Sequence, residues 1–119
     1  MKKFPRSHRL FKALEFKQVW RQAKRCSTPY ITIFACPNQL GYPRLGLSIA
    51  KRNIRNATDR NRLKRLARET FRHKQALLGG HDIVIVVYKG ADALKATEQF
   101  DYFQQAWSRF EKLKSRKNA

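Results

Sequence analysis

A single α+β domain, built as a small mixed β-sheet covered by helices, is the fold that this sequence predicts. Two observations point there. Stretches with the two-residue period of strands alternate along the chain with stretches of helical period, and no linker or internal repeat divides them. One strand-like stretch, DIVIVVY at 82–88, is apolar on both faces and therefore asks for a central place in the sheet. With 119 residues, 42% of them hydrophobic, the chain can build one modest core and not two.

The chain opens on a basic arm, about residues 1–10, whose charges recur too closely for the apolar segment of a signal peptide. Residues 13–23 then set Phe16, Val19, Trp20 and Ala23 at helical spacing, with Glu15 near the start, where a negative charge suits the helix dipole. TPYITIFAC, 28–36, alternates Ile31, Ile33 and Ala35 with Tyr30, Thr32, Phe34 and Cys36, as a strand should. Its second face is unusually aromatic for one turned to solvent. After the loop PNQLGYP, the strand RLGLSIA alternates Leu45, Leu47 and Ile49 against Arg44, Gly46, Ser48 and Ala50. The two strands read as an antiparallel hairpin.

Helical period returns from about Thr58 to His73, with an N-cap from Asn56 or Thr58, Asp59 in the first turn, and Gly79 and Gly80 as the stop. DIVIVVY follows as the third strand. A last helix over about 97–114 stripes Phe100, Phe103, Trp107 and Phe110 along one side, expected to pack into the core, and places Glu98 and Asp101 near its positive end. The basic tail KSRKNA, about 114–119, is expected to be mobile.

Lys and Arg number 27 against 8 Asp and Glu, a formal net charge of +19. A compact domain with that imbalance repels itself, so the charge is best explained as the complement of a polyanion. RNA, DNA and an anionic membrane surface all carry such charge. No stretch of about 18 apolar residues is present to span a bilayer, which leaves adsorption as the only membrane role. Cys26 and Cys36 lack the close pairing of a zinc half-site or a redox motif. They read as free, reduced thiols, and a cytoplasmic location is expected.

The segment RNATDRNRLKRLARETFR, 55–72, concentrates the charge. At about 100° per residue, Leu63, Leu66, Ala67, Thr70 and Phe71 form a core-facing stripe. Asn61, Lys64, Arg65, Arg68 and Arg72 fall together on the far side, flanked by Arg60 and Arg62, and that face carries no acid. A helix face that is merely soluble intersperses both signs, because like charges four residues apart repel. Arginine's planar fork suits bidentate contact with phosphate and stacking on bases. Lys51, Arg52 and Arg55 extend the patch toward the helix N-terminus, where free amides also attract anions.

RNRLKRLARE, preceded by RLGLSIAKR, resembles the arginine-rich signature of the protein subunit of bacterial ribonuclease P, and element order, length and charge match along nearly the whole chain. The resemblance implies a ribosomal protein S5 domain 2-like fold with a left-handed βαβ crossover, against the usual handedness. It implies a partnership with ribonuclease P RNA, which cleaves precursor tRNA with Mg²⁺ held mainly by the RNA and the substrate, while the protein assists removal of the 5′ leader. It assigns binding of the RNA subunit to Lys51, Arg52, Arg55, Arg60, Asn61, Arg62, Lys64, Arg65, Arg68 and Arg72. The leader then falls to Phe16, Trp20 and Phe34, in a cleft between the first helix and the sheet; from the arm only Arg9 and Leu10 correspond. Trp20 stands where phenylalanine is more usual and Phe34 where tyrosine occurs, and both keep a face for stacking. Periodicity alone leaves open whether these three aromatics line a cleft or belong to the core.

A catalytic residue borne by the protein is not expected. Its acids are few and scattered, and His8, His73 and His81 share no metal-ligand spacing. The alternative function is a structural RNA-binding protein such as a small ribosomal protein, which needs the basic face but no leader cleft. A DNA-binding helix should read base edges, whereas donors this dense favour phosphate; no DNA partner is expected, and no membrane.

Overall fold

The computed structural model describes residues 24–117. The basic arm, the first predicted helix with Phe16 and Trp20, and residues 118–119 lie outside the described residues. Among the described residues four strands, β1 (Lys24–Ser27), β2 (Ile31–Pro37), β3 (Arg44–Ser48) and β4 (His81–Val87), form one sheet in the order β1-β2-β4-β3. Between β3 and β4 runs the helix α1 (Ala57–Leu78); a single 3₁₀ turn, Ala91–Ala93, then leads from β4 into α2 (Ala96–Lys117).

β4 holds the central place that its apolar faces require, with Ile83, Val84, Ile85 and Val87 all buried. It pairs antiparallel with β2 and parallel with β3, so the sheet is mixed and β3-α1-β4 is a βαβ unit. β2 and β3 are therefore not a hairpin. They do run in opposite directions, but β4, the strand with the longest apolar run, is inserted between them. β2 takes its second partner from β1, a strand absent from the sequence reading. KRCS buries only Cys26, so as an edge strand it carries almost no hydrophobic period to detect.

One face of the sheet carries the core. Ile31, Ile33, Leu45, Ile83 and Ile85 pack with Leu63, Ala67 and Phe71 of α1 and with Phe103, Trp107 and Phe110 of α2. Trp107 donates its indole N–H to Thr70 Oγ1 at 2.9 Å, and that hydroxyl donates to the Ala67 carbonyl at 3.0 Å, so the indole and the hydroxyl are both satisfied. Phe100 departs from the expected stripe and is 40% exposed. On the helical wheel it lies past the edge of the arc defined by Phe103, Ala106, Trp107 and Phe110, and Gln99 takes the buried position in that turn.

Asn56 caps α1 by accepting from Thr58 N at 2.8 Å, and Gly79, at φ 59°, ends it in a conformation that favours glycine. Glu98 accepts from Lys95 N at 3.0 Å and so caps the start of α2. α2 continues to Lys117, further into the basic tail than predicted.

Candidate nucleic-acid interface

α1 divides as its sequence indicates. Leu63, Ala67, Thr70 and Phe71 are buried and Leu66 half-buried, while Asn61, Arg62 and Arg65 are exposed and Lys64, Arg68 and Arg72 half-exposed. The helix carries seven Lys and Arg against two acids, and both acids are engaged. Asp59 pairs with Arg62 at 3.4 Å, and Glu69 lies 3.7 Å from His73 and 3.9 Å from Arg72. The two arginine contacts are i, i+3 pairs open to solvent, worth a few tenths of a kcal/mol to about 1 kcal/mol each, and a phosphate can displace them. Among the described residues, neither Lys64 nor Arg65 meets a carboxylate.

The connection from β3 into α1 continues this surface. Asn53 N and Ile54 N both donate to the Ala50 carbonyl at 3.0 Å, closing a turn that leaves Lys51 and Arg52 exposed, and Ile54 is buried as its anchor. Arg55 is exposed directly before the N-cap. Arg60 behaves differently from its neighbours. Its Nη1 points back and donates to the carbonyls of Ile54 at 2.9 Å and Arg55 at 2.8 Å. Arg60 is expected from the helical wheel to flank the outward face, and its turn back onto these two carbonyls is a geometry that no periodicity reveals.

The sheet face turned away from α1 and α2 bears Phe34, half-buried, which together with Val86 packs against the buried pair Cys36 and Val84. Phe34 is thus outside the main core. Its partner across the β1-β2 ladder is Arg25, exposed on the strand that the sequence reading missed; the alternation of KRCS around Cys26 was the one available signal. Phe16 and Trp20, the other expected leader contacts, lie outside the described residues.

At one end of this face Asp82 is buried beneath a polar network. Arg44 grips it with both forks, Nε to Oδ1 at 2.7 Å and Nη2 to Oδ2 at 2.6 Å, and Asn38 Nδ2 adds 2.9 Å to Oδ1. Asn38 also donates to the Tyr42 carbonyl and accepts from Leu40 N, so the network ties the 38–43 loop to the sheet. The acid is structural. Burial pushes the thiols of Cys26 and Cys36 up from their ordinary range, more than nearby arginines lower them, and both are free thiols. Among the described residues no three His, Cys, Asp or Glu side chains gather to hold a metal.

Comparison with known proteins decides the family. The sequence model described as Ribonuclease P matches residues 4–111. The chain belongs to the ribonuclease P protein family. It is 45% identical over 106 residues to the ribonuclease P protein component of Photorhabdus laumondii, covering 89% of each chain. With that of Methylococcus capsulatus the identity is 43% over 104 residues, 87% of this chain and 81% of the relative. Among solved structures, the RNase P protein of Thermotoga maritima is 28% identical with a TM-score of 0.66, covering 88% of this chain and 93% of that one. The Staphylococcus aureus RNase P protein, at 22% identity, shares the fold with a TM-score of 0.79, over 85% of this chain and 93% of that one. A ribonuclease P protein is a component of a ribonucleoprotein endoribonuclease acting in tRNA 5′ processing, so the chain has an RNA partner. Among the described residues no helix is long and apolar enough to cross a membrane.

Proposed function

We propose that α1 and the loop before it bind the ribonuclease P RNA, and that the sheet face bearing Phe34 holds the single-stranded 5′ leader of precursor tRNA. The RNA subunit carries out the cleavage, with Mg²⁺ held mainly by that RNA and the substrate, and the protein raises the efficiency of assembly and substrate binding. The observation that carries this reading is the outward face of α1, where Asn61, Arg62, Lys64, Arg65, Arg68 and Arg72 outnumber the only two acids of the helix. Lys51, Arg52 and Arg55 add charge where the helix N-terminus itself attracts anions. The buried free thiols support action in a reducing cytoplasm.

For the leader, the supporting observation is Phe34 on the sheet face away from the main core, with Phe16 and Trp20 completing the aromatic set by resemblance. Stacking of a base on an aromatic ring contributes about 1 to 3 kcal/mol without demanding a particular base.

The test is 5′ processing of a precursor tRNA at low Mg²⁺ by a bacterial ribonuclease P RNA, with this protein, without it, and with the protein alone. Stimulation only when both components are present is the expected result. Cleavage by the protein alone, or no stimulation despite tight binding to other structured RNAs, sinks the reading and favours a structural RNA-binding protein. Phe16→Ala is expected to reduce the preference for leader-bearing over mature tRNA while leaving assembly with the RNA subunit nearly intact; equal loss of both means a core residue.

A further inference from the structure

We propose that Arg60 serves the RNA interface as a positioning residue, a clamp that holds the Lys51–Arg55 loop in its binding conformation, and not as one more outward phosphate contact. This rests on the assignment of α1 and its loop to RNA binding. The geometry is specific: one guanidinium nitrogen bridges two successive carbonyls, those of Ile54 and Arg55, from one turn inside the helix. The same loop is closed from its other side by the two amides that converge on the Ala50 carbonyl, and it is pinned beneath by Ile54, which is fully buried.

Two physical consequences follow. A loop bearing Lys51, Arg52 and Arg55 repels itself, and without a tie it splays; held closed, it presents the three charges together without an ordering penalty at the moment of binding. The carbonyls of Ile54 and Arg55 also lie just before the N-terminus of α1, where their lone pairs oppose an approaching phosphate. Donation from Arg60 occupies those acceptors, so the anion meets N–H groups and cations instead. The neighbouring Arg62 and Arg65 have no such backbone duty among the described residues and remain exposed.

The clamp is tested with Arg60→Met, which keeps most of the stem and removes the fork, in the full-length chain bound to ribonuclease P RNA, with Arg65→Ala as an outward reference. Loss of two hydrogen bonds from a charged donor is expected to weaken binding about tenfold or more. Amide exchange of Asn53 and Ile54 is expected to accelerate while that of Ile83 and Ile85 in β4 stays unchanged, which shows that the domain remains folded. The discriminating measurement is a double-mutant cycle: Arg52→Ala is expected to weaken binding clearly in the unaltered protein and much less once Arg60 is Met. Additive losses with unchanged loop exchange overturn the clamp and make Arg60 an ordinary contact. Faster exchange with unchanged RNA affinity overturns it in the other direction, leaving Arg60 a purely structural residue. If Arg65→Ala and Arg52→Ala have no effect on their own, the interface assignment itself fails.

Discussion

Asp82 is a buried carboxylate in a chain of net charge +19, and what protects it is the completeness of its partners. Arg44 supplies a bidentate grip and Asn38 a third donor, so the acid is satisfied. Removing it strands a half-buried guanidinium and releases the 38–43 loop. Asp82→Ala is expected to destabilise the fold by about 3 kcal/mol in urea unfolding, near the lower end for breaking a buried pair; a loss under about 0.5 kcal/mol, the level of an ordinary surface change, contradicts the structural role. The thiols of Cys26 and Cys36 follow a related logic. Burial raises both above the ordinary value, so the folded state disfavours the thiolate. Their contribution is intact at neutral pH and falls away as pH climbs through the ordinary thiol range toward the raised value. Both are expected to resist a thiol reagent at pH 8 until denaturant is added; rapid labelling of the native protein argues against that burial.

At the scale of elements, α1 is the part whose role is plainest from its residues, because a single periodic pattern encodes both its buried stripe and its basic face. Arg65→Ala is expected to weaken binding to the RNA subunit and to lower the log-log salt slope by up to about one unit, since one phosphate contact is lost. Arg68→Ala is expected to do likewise. An unchanged slope in both variants removes α1 from the interface. The link between β4 and α2 depends on a different device. Gly90 sits at φ 99°, and a Cβ there meets the Tyr30 ring at 3.0 Å, so Gly90→Ala combines backbone strain with a close contact. It is expected to lower stability by about 1 to 3 kcal/mol, read from thermal unfolding.

For the whole molecule the excess charge is a liability until RNA arrives. The protein alone is expected to melt a few degrees higher in about 0.5 M salt than at low ionic strength, because screening relieves self-repulsion. Salt is expected to act in the opposite direction on the complex, where it competes with phosphate contacts. A melting temperature that falls with salt in the free protein contradicts this account.

By itself the sequence determined the class of fold, the central place of β4, the two described helices, the glycine stop of α1 and the division of that helix into a buried stripe and a basic face. These are readable because each depends on local periodicity or on charge, which survive in a one-dimensional string. Tertiary structure alone decided that β4 separates β2 from β3, that KRCS becomes an edge strand beside Phe34, that Phe100 stays outside the core, and that Arg60 turns inward to the Ile54 and Arg55 carbonyls. In each case the outcome is a competition among distant partners: which strand buries the most apolar surface, which side chain fills the space between helices, which acceptor lies within reach of a guanidinium. Such competitions are settled only when the whole chain has packed.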